Sequence, residues 1–319
     1  MGIVVDGSSI AYNDTTVDYT RSTTSRALFG YGYNGNSNAY TSITNLINNY
    51  GNVSTDITGV GTARYLLAGC GYGGDKAIFG YGQTSVDQSV TNTVSPIGIT
   101  SSDITGVGTA RNFLAAAGYG GDKAIFGYGY DAYANRYSVT NKVSSAGVVA
   151  TDTTGVGTAR FALAAAGYGG DKAIFGYGSA AGPTNTAVTN LVSNTGTVAT
   201  DTTGVGTARR ELAAAGYGGD KAIFGYGSTS SSGSTTFRTA ITNLVSNTGV
   251  VATDTTGVGT ARKMLAAAGY GGDKAIFGYG LSTTYVSMTN KVSNTGVVAT
   301  DTTGVGIVRY ALAAAGYGG

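Results

Sequence analysis

The chain has 319 residues, 42% of them hydrophobic, with 19 basic against 17 acidic side chains and a formal net charge of +2. That apolar content is enough for a sizeable core, and the even charge lacks the basic footprint of a nucleic-acid binder. With no histidine and a single cysteine, Cys70, the chain has no Ser-His-Asp or Cys-His chemistry, no histidine metal site and no internal disulfide. Its 54 glycines follow no Gly-X-Y period, and the abundance of Gly, Ser, Thr, Asn and Tyr suits short strands joined by tight turns. No apolar run approaches about 18 residues, so no membrane span is expected. The amino terminus lacks the basic and apolar regions of a secretory signal, which leaves the compartment open.

In chain order, residues 1–25 precede the first regular element and read as an arm or cap. The first strand is expected in SRALFGYG, 25–32. From there FGYG recurs, with its phenylalanine at Phe29, Phe79, Phe126, Phe175, Phe224 and Phe277, at spacings of 50, 47, 49, 49 and 53. A period of that size marks one supersecondary unit written repeatedly. A complete copy runs from Arg160 to Ala208 and holds four short segments: A (ALAAAGYG, 162–169), B (KAIFGYG, 172–178), C (AVTNLVS, 187–193) and D (GTVATD, 196–201). Gly-Gly, Asn-Thr-Gly and Gly-Val-Gly punctuate them, the signature of an antiparallel meander. LAAA in segment A is too short for a stable helix, and its small side chains fit strands that converge on a narrow axis. Ile174 and Phe175 of segment B read as filler between neighbouring units, so the FGYG aromatics are expected to be structural. The chain closes on a further A segment, YALAAAGYGG at 310–319, with no B segment after it. The expectation is an all-β, six-bladed β-propeller with four antiparallel strands per blade, spanning 26–319, its first blade completed by 309–319.

Arg160, the small-residue ALAAAGYGG and the hydrophobic KAIFGYG follow one another in an order that resembles the kelch family of β-propellers. The match recurs along 26–319. FGYG stands where the family has a glycine doublet, and the family's outer-strand tryptophan is missing, because the chain has no tryptophan. The resemblance implies a propeller fold and a role in binding. Near-identical copies with glycine- and tyrosine-rich loops are also similar to surface adhesins and phage tail receptor-binding proteins.

GYGGDKAIFGYG and Asp-x-Thr-Gly-Val-Gly-Thr-Ala-Arg hardly vary between copies. The recurring Asp and Arg suggest a charge-assisted contact repeated around the array. A second reading turns Arg64, Arg111, Arg160, Arg209, Arg262 and Arg309 inward as an anion-binding ring. Two places do vary. One is the pair after each arginine, beginning at Tyr65, Asn112, Phe161, Arg210, Lys263 and Tyr310. The other is the B–C loop, with Tyr33, Tyr40, Tyr130, Tyr133, Tyr137, Phe237 and Tyr285 as aromatic anchors. In an A-B-C-D meander both places fall on one face, which suggests a recognition surface above an invariant scaffold.

The function expected is a non-enzymatic, monomeric binding or display module for a glycan or protein partner, with no cofactor, metal, nucleic acid or membrane. The alternatives are a carbohydrate hydrolase or lyase using Asp and Tyr, and a purely structural spacer. Glu211 is the only glutamate, so a paired-carboxylate glycosidase would rest on aspartates. No GxxxxGK[ST] sequence is present for nucleotide phosphates. Cys70 stands where other copies have alanine and reads as a small buried hydrophobe.

Overall fold

A computed structural model describes residues 26–181, 184–230 and 235–318; the expected amino-terminal arm, 1–25, lies outside them. The described residues are all-β, apart from one 3-10 turn at Thr235–Phe237. They form seven three-stranded antiparallel sheets. In the copy that begins at Arg160, Ala164–Tyr168 pairs with Lys172–Gly176, which pairs in turn with Thr189–Val192. Buried and half-buried residues alternate along Ala164–Tyr168, the period of two that a strand requires. Gly169 and Gly170, at φ of 61° and 78°, then close the hairpin in a conformation other residues rarely adopt. Five sheets repeat this plan in sequence. A sixth draws on both ends of the chain, with Arg26–Gly30 between Ala313–Tyr317 and Thr44–Ile47. The seventh is small and joins Tyr33–Asn34 to Tyr310, Arg309 and Ala39–Tyr40.

Segment D, expected as a fourth strand, meets segment C only at isolated bridges such as Val192 with Val198 and Thr189 with Thr202. Between those bridges D advances four residues (198 to 202) while C advances three (189 to 192), a one-residue bulge that interrupts the ladder. Buried Asn190 adds to the interruption, because its Nδ2 donates to the carbonyl of Ala199 at 3.0 Å.

No sheet closes on itself. The six A segments instead lie side by side in cyclic order, Ala313–Tyr317 being adjacent to both Ala266–Tyr270 and Ala68–Tyr72. Their glycines set the closeness. A Cβ on Gly118 would stand 3.2 Å from the Gly71 carbonyl oxygen, one on Gly316 3.0 Å from that of Gly269, and one on Gly71 2.9 Å from that of Gly316. At the start of each A segment, backbone hydrogen bonds run from copy to copy. Leu66 N donates to Ala311 O, Phe113 to Leu66, Ala162 to Phe113, Glu211 to Ala162, Met264 to Glu211 and Ala311 to Met264, at 2.8–3.0 Å. The cycle returns to its start. All six residues have φ between 51° and 58°, a left-handed conformation that costs a side-chain-bearing residue roughly 1–2 kcal/mol.

FGYG is the joint between sheets. Phe224 enters the space left by the first FGYG glycine of its neighbour, so that a Cβ on Gly176 would lie 2.7 Å from the ring's Cζ. Tyr177 meets the same ring edge-on at 5.1 Å. The second glycine, Gly178, turns the chain at φ 101° past Leu163. The same contact recurs from Gly30 with Phe79 round to Gly278 with Phe29. Gly176→Ala should therefore overpack one joint and lower stability by about 1–3 kcal/mol in denaturant titration; an unchanged midpoint would show that Phe224 can move aside freely.

Candidate functional site

The two variable places are backbone partners. The first residue after each arginine pairs with the first residue after FGYG: Tyr65 with Gln83, Asn112 with Tyr130, Phe161 with Ser179, Arg210 with Ser228, Lys263 with Leu281, and Tyr310 with Tyr33. Two hydrogen bonds hold a typical pair, Gln83 N to Tyr65 O at 2.8 Å and Tyr65 N to Gln83 O at 3.1 Å. The structure thus brings Tyr65, Asn112, Phe161, Arg210, Lys263 and Tyr310 into one crown around the hydrogen-bonded cycle. Inside the crown lies a shallow hollow of about 80 Å3 lined by Leu66, Phe113, Glu211, Met264 and their neighbours.

The scaffold repeats but the crown does not, and it divides into three sectors. In the first, Tyr33 contacts the rings of Tyr40, Tyr65 and Tyr310, Tyr40 stacks on Tyr65 at 5.0 Å, and Tyr285 stacks on Tyr310 at 5.0 Å and 9°. The Tyr65 hydroxyl donates to Gln83 Oε1 at 2.9 Å. In the second, Phe161 packs on Tyr130 at 4.8 Å and on Phe113 at 5.7 Å, with the Arg136 guanidinium 5.5 Å from the Phe161 ring. Asn112 Nδ2 donates to Asp87 at 2.6 Å, and Asp87 also accepts from Ala132 N at 2.7 Å, which ties neighbouring loops together. Buried Asp131 organises the next loop, accepting from the amides of Tyr133 and Asn135 and from the Tyr137 hydroxyl at 2.7 Å. Burial raises the pKa of that carboxyl, but the hydrogen bonds from Tyr137 and Asn135 outweigh it, and the net shift is downward. The third sector is ionic: Glu211 lies 2.8 Å from Lys263 Nζ and 3.6 Å from Arg210 Nε. Tyr133 and Phe237, expected as anchors, are exposed and make no ring contact among the described residues.

Burial, together with the neighbouring Tyr285 and Tyr33, pushes the Tyr310 phenol from 10.0 up to about 12. A raised folded-state pKa means that its stabilising contribution is complete below pH 10 and is lost as the pH climbs through about 12. Tyr31, Tyr81 and Tyr279, raised chiefly by burial, fall in the same late class. Followed by phenolate absorbance, Tyr310→Phe should remove one late-titrating tyrosine and soften the loss of stability between pH 10 and 12; an unchanged late class would place the Tyr310 hydroxyl in water.

The six arginines are enclosed. Each of the six side chains is fully buried and lies over the tyrosine ring of the adjacent sheet at 4.3–4.7 Å, so none is open to an anion. Arg64, Arg111, Arg160 and Arg262 share one pattern, in which Arg160 donates to Tyr177 O at 2.9 Å, Thr158 O at 3.1 Å and Asn190 Oδ1 at 2.7 Å; Arg209 keeps the two carbonyl bonds without the asparagine, and Arg309 donates to Ile43 O and Asn45. The expected Asp–Arg contact is only a 4.0 Å pair between Asp201 and Arg160. The direct bonds run through Asn190, whose Nδ2 donates to Asp201 at 2.9 Å, and through Thr158, whose amide and hydroxyl also reach Asp201. Sequence reasoning missed these asparagines (Asn45, Asn92, Asn141, Asn190, Asn243 and Asn290), although a Thr-Asn pair in every C segment was visible. Arg160→Met would strand two buried acceptors, Tyr177 O and Asn190 Oδ1, so a loss of about 2 kcal/mol or more is expected in chemical denaturation; under about 1 kcal/mol would mean water replaces the guanidinium.

Among the described residues no group of three His, Cys, Asp or Glu side chains is placed to hold a metal ion. Cys70 is buried, and burial pushes its thiol up to about 12. The chain matches no family model, and no curated protein matches it.

Proposed function

We propose that the chain is a six-bladed, kelch-like β-propeller and a non-enzymatic binding module that recognises a carbohydrate through its crown. The propeller reading is supported by the cyclic order of the A segments and by the closed run of hydrogen bonds at their start. The kelch likeness rests on the order of arginine, small-residue strand and hydrophobic strand.

One observation carries the binding reading. Tyr33, Tyr40, Tyr65, Tyr285 and Tyr310 are contributed from widely separated parts of the chain and meet in one patch, half-buried or exposed. Tyrosine has few rotatable bonds, so such a patch is nearly ordered before a ligand arrives, and little entropy is lost on binding. Ring faces suit the C–H faces of a sugar, and hydroxyls and amides at the rim suit its hydroxyl groups. A structural spacer would have no need for a crown that differs in every copy while its scaffold repeats.

A glycan array with the intact protein tests this reading, followed by the variant with Tyr65, Phe161 and Tyr310 all changed to Ala. Binding of a defined glycan class, weakened at least tenfold in the variant, is the expected result. Silence across the array, or full binding by the variant, would remove the reading. Turnover of a polysaccharide panel would replace it with the enzymatic one.

A further inference from the structure

We propose that the end of the axis opposite the crown binds a small multivalent oxyanion of the polyphosphate class. This site stands apart from the carbohydrate reading, since the length of the A segments separates the two.

A cavity of about 310 Å3 opens where the A segments turn into the B segments. At about 30 Å3 per water it has room for roughly ten water molecules, and so for an anion of several linked phosphates. Lys76, Lys123, Lys172 and Lys221 line it, and the described lining residues include no acidic side chain. Tyr72, Tyr119, Tyr168, Tyr217 and Tyr317 also line it, together with glycines of the turns. A Cβ built on Gly74, Gly121, Gly170, Gly219 or Gly272 would meet nothing within 4 Å, so these glycines face open space.

Each lining lysine is paired with the aspartate just before it, Nζ to Oδ1 distances being 3.0 Å for Asp75, 2.5 Å for Asp122, 2.9 Å for Asp171 and 2.8 Å for Asp220. The aspartates are not part of the lining. Asp220 is held from the other side by Asn247 Nδ2 at 3.0 Å. The lysine and aspartate side chains are 38–44% exposed, and such surface pairs contribute at most about 1 kcal/mol. An aspartate answers one ammonium, whereas an anion on the axis answers four. Lysine suits this exchange, because its ammonium is a compact charge with three donors on a flexible stem. Lys274 repeats the arrangement with Asp273, and Arg26 takes the sixth place but is buried opposite Tyr317. The ring of cations is therefore incomplete on one side, which favours a chain-like anion over a six-fold symmetric one.

Titration calorimetry of the intact protein with sodium tripolyphosphate at low salt tests the site. Saturable binding that weakens as salt rises is expected. Changing Lys123, Lys172 and Lys221 to Gln should weaken it at least tenfold. Changing Asp122, Asp171 and Asp220 to Asn should tighten it several-fold, because the competing carboxylates are gone while the lysines stay. No saturable heat at millimolar tripolyphosphate, undiminished binding by the lysine variant, or weaker binding by the aspartate variant would each overturn the proposal. Should the lysine variant fail to fold, the direction of change in the aspartate variant decides. Tyr65→Ala with Tyr310→Ala should leave tripolyphosphate binding unchanged; a loss there would place the anion at the crown and overturn the site.

Discussion

Six residues, one from each copy, are hydrogen-bonded through their backbone N–H and C=O in a closed cycle, and the rest of the molecule is arranged to permit it. The cycle demands a left-handed backbone at Leu66, Phe113, Ala162, Glu211, Met264 and Ala311, a strain shared by side chains as different as leucine, glutamate and alanine. It also demands that the A segments approach to backbone contact, which their glycines allow. Once the A segments are that close, the B segments fan outward. The space between them has to be filled by something large, and Phe and Tyr of FGYG fill it.

Filling those wedges creates an electrostatic problem with a specific solution. Each joint buries a guanidinium completely, and burial lowers its pKa against the opposing pull of nearby groups. A buried cation is tolerated only when its donors are engaged and a counter-charge is near. At Arg64, Arg111, Arg160 and Arg262 the tyrosine ring beneath it, the carbonyls beside it and the chain Arg–Asn–Asp meet those conditions. The asparagine matters most, because it converts a distant Asp–Arg pair into a continuous hydrogen-bonded path. At the closing joint Arg309 reaches Asn45 and Ile307 N reaches Asp56 at 3.0 Å, so the asparagine and aspartate contacts are kept, while isoleucine in place of threonine removes the hydroxyl bond to the aspartate.

A rigid, repeating frame leaves its two ends free to do different things. At one end the crown residues vary as cross-strand pairs, and their chemistry shifts from tyrosine to phenylalanine to an ion cluster around the axis. At the other end the turns repeat almost unchanged and present lysines about an open cavity. Variation between copies drew attention to the first end and away from the second. Identical turns look like scaffold when read along a chain, and they become a cluster of cations only when arranged about an axis.

The sequence by itself determined the unit and the number of its copies. Glycine punctuation and the position of FGYG are local properties, and the split of one unit between SRALFGYG and YALAAAGYGG was legible for the same reason. That the variable positions share a face also followed from strand alternation alone. Three things were decided only by tertiary structure. Segment D reads as a strand, yet Asn190 and a one-residue bulge hold it to isolated bridges. The arginines read first as a repeated structural contact and second as an inward ring, and it is the wedge between sheets that encloses them. Glu211 and Lys263 lie 52 residues apart in the chain and 2.8 Å apart in space, because neighbours around a ring are set by the angle between sheets, a quantity no single copy encodes.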